Sequence, residues 1–237
     1  METTLKLLGF GAEGWGDEIA SGVLVTVSLA LATLPLGLAV GFLIALAKQS
    51  QERSLRLAAN IYTTIFRGLP ELLTLFLVFY GVQLGVQRLV ALFNPGATIE
   101  INAFAAGMVA LGVVFSSYAS EVFLSAFRAI PRGQYEGGYA IGLSNWQTMR
   151  LVVLPQLVRI ALPGLSNLWL ILLKDTALVS VIGLSDIIRQ AGIAARVTKE
   201  AFLFFGVACL LYLVLAILSS FAFGLIERWA GRTEPAR

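Results

Sequence analysis

Apolar residues dominate the chain and gather in long runs that carry no charged side chain. Three such runs, 19–47, 101–120 and 201–226, each reach the roughly 20 apolar residues that a helix needs to cross a bilayer. Two further segments are apolar but interrupted. The pattern therefore predicts an all-α polytopic membrane protein with about five transmembrane helices. We expect these spans at about 19–47, 57–88, 101–127, 160–185 and 201–226.

The second predicted span is interrupted near its middle by the sequence RGLPE (67–71), in which Pro70 breaks or kinks a helix. Unwound backbone at membrane depth is tolerated only where it is buried in protein or lines a cavity. Arg67 and Glu71, which flank this break, therefore mark either a gate in a pathway or a device that starts a helix at the cytoplasmic interface. Both interpretations remain open on the sequence alone.

The distribution of basic residues predicts the orientation of the chain. If the N-terminus lies outside, eleven of the 17 lysines and arginines fall in segments that face the cytoplasm, as the positive-inside rule favours. This orientation puts the C-terminus and the loop 128–159 in the cytoplasm. The predicted organisation is an N-terminal periplasmic or interfacial segment (1–18), a transmembrane domain (19–227) and a cytoplasmic tail (228–237). Residues 1–18 do not resemble a cleaved signal peptide, because their apolar run is too short.

Composition narrows the chemistry that this chain can perform. Of its 237 residues 58% are hydrophobic and 13% are charged, about half the charged fraction of a soluble domain. There is no histidine, which argues against histidine-ligated haem or zinc and against a histidine general base. The single cysteine, Cys209, lies in an apolar run and forms no disulfide framework. We expect no enzyme activity, metal site or bound cofactor on this chain.

The loop 128–159 is longer than a connection between two helices requires. Within it, Tyr135, Tyr139 and Gly142 recur at helical spacing and predict a short amphipathic helix. The loop is either a solvated connector or a surface that another protein binds.

At this loop the chain resembles the membrane subunits of ABC importers. Their "EAA" signature places a glutamate, two alanines, a glycine, an isoleucine and a Leu-Pro pair at fixed spacing, and here two glycines and a valine replace the alanines and the isoleucine. The matching positions are Glu136, Gly137, Gly138, Gly142, Val152, Leu154 and Pro155. Four further blocks narrow the resemblance to permeases for polar amino acids, in the histidine/lysine/arginine and opine (octopine, nopaline) branch. They are FRGLPELL (66–73), SSYASEVFLSAFRAIPRGQYEG (116–137), ALPGLSNLWLILLKDTALVSVIGLSDI (161–187) and FGLIERW (223–229).

The resemblance implies a type I importer permease in the bacterial inner membrane. Its implied partners are a second permease subunit, either identical or paralogous, a cytoplasmic ATPase dimer and a periplasmic binding protein that delivers a polar amino acid or opine. ATP and magnesium would be bound by the ATPase, in keeping with the absence of a G-x-x-x-x-G-K-[ST] motif here. The residues implied in coupling to the ATPase are Gln134, Tyr135, Glu136, Gly137, Gly138, Ala140, Gly142, Leu143, Trp146 and Pro155. The alternative is a stand-alone secondary carrier or channel for a small polar solute.

Gly137 and Gly138 stand where the resembled family usually has alanine. Each glycine costs a helix about 1 kcal/mol relative to alanine. We therefore expect a loose helix that becomes ordered when it docks, and we expect alanine at both positions to leave coupling intact or to improve it.

Charged residues inside the fourth predicted span are candidates for substrate contacts, because a charge at bilayer depth is costly and usually faces a cavity or a partner. Asp175 and Lys174 lie halfway along this span and point about 100° apart, so they do not pair well with each other. Asp175 is a candidate contact for a cationic amino group, with a structural ion pair as the alternative. Lys174 either lines the pathway or extends its amine towards the interface.

On the third predicted span, Ser117 and Glu121 share one helical face with Arg128. Glu121 either faces the pathway or pairs with Arg128. Ser116 and Ser117 either line the pathway or permit close helix packing.

The acids in or near the membrane outnumber the bases. Glu71, Glu121 and Asp175 stand against Arg67 and Lys174, which favours cationic substrates.

Overall fold

In a computed structural model that describes residues 6–11, 13–94 and 102–231, the regular elements are helices. They are α1 (Gly16–Gln49), α2 (Arg53–Gly68), α3 (Glu71–Phe93), α4 (Ala103–Ala129), α5 (Arg132–Ala140), α6 (Asn145–Thr148), α7 (Leu154–Asp175), α8 (Ile187–Thr198) and α9 (Ala201–Gly231). A π-helical turn, Met149–Val153, joins α6 to α7, and a 3-10 helix, Thr176–Ile182, follows α7.

Five helical stretches are long and apolar enough to cross a membrane, which confirms the predicted fold class. They are Gly16–Gln49, Glu71–Phe93, Ala103–Ala129, Asn145–Ile182 and Ala201–Ala230. Parts of three predicted segments fall outside the described residues: 1–5 and 12 of the N-terminal segment, 101 at the start of the third span, and 232–237 of the tail.

The second predicted span consists of two helices. The first ends at Gly68 and the second begins at Glu71, and both intervening residues, Leu69 and Pro70, have extended ψ angles. Proline supplies no N–H for an intrahelical hydrogen bond, so the break occurs where the sequence predicts it. The helix before the break is amphipathic and, at 16 residues, too short to qualify as a span, so of the two only α3 is long and apolar enough to cross.

Helices α1 and α4 pack side by side in the same direction. A Cβ atom on Gly41 would lie 2.9 Å from the Ala119 Cβ, and Gly107 approaches the Leu29 side chain further towards both N-termini. Small residues at such contacts let two helix backbones approach closely. Because parallel helices cross the membrane in the same direction, the chain between them must cross back once, and α3 provides that crossing.

Helix α7 also packs against α4 and contacts α9. A Cβ on Gly164 would lie 2.7 Å from Val122 Cγ1, so α4 and α7 also depend on a small residue for their approach. The Ser166 hydroxyl donates to Glu227 Oε1 at 2.9 Å and links α7 to α9. This arrangement places α4 at the centre of the subunit.

The α-helical part of the fourth predicted span ends at Asp175, where the sequence predicts a mid-helix position. The Thr176 hydroxyl donates to the Leu173 carbonyl oxygen at 2.7 Å, and the Ser180 hydroxyl does the same to Ala177 at 2.8 Å. Hydroxyl groups that bind nearby carbonyls compete with the regular helical ladder. The backbone tightens into the 3-10 helix at this point.

Asp186 begins α8 and is fully buried. Its Oδ1 accepts a hydrogen bond from the Arg189 N–H at 2.9 Å, whereas Oδ2 has no hydrogen-bond partner within the described residues. Burial raises the pKa of Asp186 to about 6, an effect that the hydrogen bonds from the start of α8 and the nearby Arg189 charge only partly oppose. A Cβ on Gly22 would lie 3.0 Å from the Asp186 carbonyl oxygen, so this loop sits tightly against α1.

Candidate functional site

The loop that resembles the importer signature is a folded unit. Helix α5 is the predicted amphipathic helix, but Gly142, predicted on its face, lies beyond its end with a φ of +86°. The Leu143 N–H donates to the Gly138 carbonyl at 3.1 Å, and the Gly142 N–H donates to the Tyr139 carbonyl at 2.9 Å. These two bonds form a Schellman motif, which needs a left-handed residue at the position of Gly142.

Helix α6 follows at once and has a capping box. The Ser144 side chain accepts from the Gln147 N–H at 3.3 Å, and the Ser144 N–H donates to Gln147 Oε1 at 2.9 Å. The spacing S-x-x-Q is the sequence signature of this cap, and it is the signal by which α6 could have been predicted. The chain therefore reverses between α5 and α6 with defined geometry.

Side chains of α5 connect this unit to the helix bundle. Gln156 Nε2 donates to Gln134 Oε1 at 3.0 Å and also to the Val152 carbonyl oxygen at 2.8 Å. Tyr135 packs against the hydrophobic core, and burial, with a smaller contribution from neighbouring Tyr139, raises the pKa of its hydroxyl. A displacement of α5 would therefore be passed to α7.

The outer surface of the loop unit, which we call the coupling surface, carries exposed apolar side chains: Ile141 is 76% exposed, Trp146 71% and Leu151 61%. The remaining predicted coupling residues divide by burial: Gly138 is buried, Tyr135 and Leu143 are half-buried, and the exposed ones are Gln134, Glu136, Gly137, Ala140, Gly142 and Pro155.

The two glycines of the signature occupy different environments. A Cβ on Gly137 would meet no atom within 4 Å, whereas a Cβ on Gly138 would lie 2.7 Å from Thr148 Cγ2 and 2.8 Å from its Oγ1. An alanine at 138 therefore requires Thr148 or its helix to shift, whereas one at 137 does not, and this geometry speaks against the expectation that the two positions tolerate alanine equally.

Glu121 is the centre of an ion-pair cluster between three helices. Its Oε1 lies 2.5 Å from Lys48 Nζ at the end of α1 and 3.2 Å from Arg67 at the end of α2. The Arg67 guanidinium also lies over the Tyr118 ring, 5.5 Å from its centroid. Lys48 was not a candidate in the sequence, because nothing along the chain shows that α1 and α4 are neighbours.

The alternative pairing of Glu121 with Arg128 is wrong. Two helical turns put about 10 Å between these positions, whereas side chains from α1 and α2 reach the same carboxylate directly. Arg128 is exposed and forms no ion pair within the part of the chain that the structure describes.

Ser116 and Ser117 are fully buried where α4 meets its neighbours. Their hydroxyls donate to the carbonyls of Val113 and Val114 at 2.8 and 2.7 Å. The Tyr62 hydroxyl on α2 lies 2.8 Å from the Ser116 hydroxyl. In this structure the two serines serve helix packing, and their predicted place in a pathway stays a prediction.

Asp175 and Glu71 are brought into electrostatic range of each other, although they lie on different helices. Asp175 is half-buried and Lys174 is exposed, and no salt bridge to either is present among the described residues. A crevice of about 10 Å³ beside Asp175, bordered by Tyr118 and Leu168, has room for about one water molecule but not for an amino acid.

No group of three or more cysteine, aspartate or glutamate side chains that could hold a metal ion occurs among the residues described here. The polar side chains of the site instead suit ion pairing and hydrogen bonding.

Comparison with known proteins agrees with this geometry. The family described as "Binding-protein-dependent transport system inner membrane component" matches residues 15–232. The chain is 42% identical to the nopaline transport system permease protein NocQ of Agrobacterium fabrum over 96% of this chain and 97% of that protein. It is 38% identical to the histidine/lysine/arginine/ornithine transport system permease protein HisQ of Salmonella typhimurium, over 91% of this chain and 94% of that protein.

Among solved structures, a crystal structure of an amino acid ABC transporter with histidines superposes with a TM-score of 0.76. It is 32% identical and covers 90% of this chain and 94% of that one. The alternative of a stand-alone carrier or channel does not fit these relationships. With its five membrane-crossing helices and folded loop, the chain belongs to the binding-protein-dependent transport system inner membrane components, the permease subunits of ABC importers.

Proposed function

We propose that this permease imports basic amino acids or opines across the bacterial inner membrane, with its N-terminus outside and its C-terminus in the cytoplasm. In this orientation most lysines and arginines face the cytoplasm. Its partners are a dimer of a cytoplasmic ATPase, which binds ATP and magnesium, a second permease subunit and a periplasmic binding protein.

The assignment of the coupling surface as the site that binds the ATPase rests on its exposed apolar side chains. The stretch Asn145–Ile182 is 38 residues long, more than a bilayer crossing needs, so its first residues can lie outside the membrane. In the proposed orientation these residues, with Trp146 and Leu151, and the preceding Ile141 lie in the cytoplasm, where their exposed apolar side chains meet water. Contiguous exposed apolar surface bordered by polar residues is typical of a protein-binding site. An exposed tryptophan on such a surface is the kind of residue that contributes most to binding.

The connections behind this surface support a mechanical role. The bond between Gln134 and Gln156 and the packing of Tyr135 tie the coupling surface to α7, which ends at Asp175. Movement of a docked ATPase is thereby carried along α7 towards the acids at its far end.

The acids support a cationic substrate. Glu71 acts electrostatically on Asp175 more strongly than the neighbouring Lys174 does, and neither acid has a salt bridge among the described residues. A substrate amino or guanidinium group would therefore complement the charge that Lys174 leaves unbalanced. The relatives are described as permeases of nopaline and of histidine/lysine/arginine/ornithine systems, whose named amino acids are mostly basic. Because the crevice beside Asp175 is too small for an amino acid, the second permease subunit would complete the pathway.

The test is reconstitution of the complete transporter in proteoliposomes, with ATP enclosed and binding protein supplied outside. We expect uptake of arginine, ornithine, octopine or nopaline to require ATP and the ATPase, and to exceed uptake of glutamine, which has a neutral side chain. Uptake that continues without the ATPase would overturn the coupling assignment. Equal preference for glutamine would overturn the assignment of a cationic substrate but leave the coupling intact.

A further inference from the structure

Thr148 is buried, at 1% exposure, between α5 and the π-helical turn. Its backbone N–H continues the helix by donating to the Ser144 carbonyl at 2.8 Å. Its hydroxyl oxygen has no hydrogen-bond partner among the described residues, so hydrogen bonding does not explain the residue at this position. What the side chain does is fill space.

The space that Thr148 fills is the one left open by Gly138. The Thr148 Cγ2, Oγ1 and Cβ atoms lie 2.7, 2.8 and 3.2 Å from the point where a Cβ on Gly138 would be. The first two distances are shorter than van der Waals contact, so an alanine at 138 displaces either the Thr148 side chain or α6 as a whole. Side chain and glycine are thus complementary in size.

This contact lies directly behind the coupling surface. The residue before Thr148 in α6 is the capping residue Gln147, and Trp146 precedes it. The carbonyl of Gly138 accepts the Schellman bond that ends α5. The separation of α5 and α6 at this contact therefore sets the relative positions of Tyr139 and Ile141 on one side and Trp146 on the other.

We propose that Thr148 is a positioning residue for ATPase coupling, which acts by packing against Gly138 and so fixes the spacing of α5 and α6. The proposal rests on the proposed function, because it concerns the surface that the ATPase is proposed to bind. Thr148 itself, being buried, makes no contact with the ATPase. The contact explains why this chain has glycine at a position where the importer signature has alanine.

The first test needs only the permease in detergent. We expect Gly138→Ala to lower the thermal unfolding temperature by about 4 °C or more, and the double variant Gly138→Ala/Thr148→Ala to recover at least half of that loss. Gly133→Ala is the matched control, since it adds a methyl group to the same helix where no atom lies within 4 Å. If Gly138→Ala has the same unfolding temperature as Gly133→Ala, or if the double variant is no more stable than Gly138→Ala, the contact of Thr148 with Gly138 does not fix the spacing of α5 and α6.

The second test uses the reconstituted transporter and measures substrate imported per ATP hydrolysed, a ratio that does not depend on how much permease is folded. We expect Gly138→Ala to lower this ratio roughly fivefold or more, and Thr148→Ala in the same chain to restore it. An unchanged ratio in Gly138→Ala, together with a changed unfolding temperature, would overturn the positioning role while leaving the proposed function intact. Failure of the unsubstituted transporter to couple hydrolysis to uptake would instead overturn the proposed function.

Discussion

Lys48 on α1 and Glu121 on α4 form an ion pair across 73 residues of sequence, and only 6% of the Lys48 side chain is exposed. Arg67 shares the same carboxylate from a third helix. One acid therefore holds the ends of α1 and α2 against the central helix of the subunit.

Removal of that acid leaves a nearly buried ammonium group without its counter-charge. We expect Glu121→Gln to reduce the free energy of unfolding by about 1–3 kcal/mol, less than for a fully buried pair because Glu121 is 32% exposed. Thermal unfolding in detergent measures the effect. Glu121→Gln combined with Lys48→Met should regain part of the loss, and an unchanged unfolding temperature in the single variant would contradict the role of the pair.

Trp146 is expected to anchor the ATPase. Because it is 71% exposed, its replacement by alanine should leave the permease stable but weaken ATPase binding by about 2 kcal/mol, or roughly thirtyfold. A binding titration with the purified ATPase tests this. Trp229→Ala is the matched control, since Trp229 is equally exposed but lies at the end of α9. Similar affinities for the two variants would show that Trp146 is not an anchor.

Asp175 is expected to recognise the positive charge of the substrate. In Asp175→Asn, the KM for uptake of arginine should rise about tenfold or more, which corresponds to about 1.4 kcal/mol. The KM for a substrate without a positively charged side chain should change less, because only the cationic group loses an attractive partner. Glu52→Gln, at an exposed acid, serves as the control. Parallel changes for both substrates would indicate a structural role for Asp175.

Asp186 should make the stability of the permease depend on pH. Burial raises its pKa from 3.8 to about 6, so the folded state binds a proton more tightly than the unfolded state does. The resulting stability is fully present below pH 4 and is lost as the pH rises through 6. We expect Asp186→Asn, which retains a capping oxygen for α8, to flatten the fall in unfolding temperature between pH 4.5 and 7.5. An identical pH profile in the variant would refute this assignment.

Gly41 is expected to be essential for the contact between α1 and α4. Its replacement by alanine places a methyl group 2.9 Å from the Ala119 Cβ and from the Ser116 carbonyl oxygen, and should destabilise the permease by about 1–3 kcal/mol. Gly206→Ala adds a methyl group to α9 where no atom lies within 4 Å. The difference between the two unfolding temperatures measures how much the close approach of α1 and α4 stabilises the permease. Equal temperatures would show that Gly41 is not essential for this contact.

The sequence predicts the elements of this fold well, because the information for them is local. A run of apolar residues is visible as such, and Pro70 interrupts a helix wherever it occurs. The end of the α-helix at Asp175 was missed, because no proline or glycine marks it between 176 and 182.

The residues of the site are less accessible to sequence reasoning, since their partners lie on other helices. Neither the pairing of Glu121 with Lys48 nor the approach of Glu71 to Asp175 follows from spacing along one helix. The two signature glycines look equivalent in the sequence, yet only Gly138 faces another side chain. These contacts depend on how the helices pack against one another, which the sequence of a single helix does not show.

The parallel contact of α1 with α4 has a consequence for how the protein is made. At a synthesis rate of about 5–20 residues per second, the 73 residues between Lys48 and Glu121 take about 4–15 s to emerge from the ribosome. Throughout that interval the α1 face containing Gly37 and Gly41 has no helical partner, and Lys48 has no counter-charge. Newly synthesised α1 therefore enters the bilayer with the face that later contacts α4 still exposed, and this face is covered only after α4 has been synthesised.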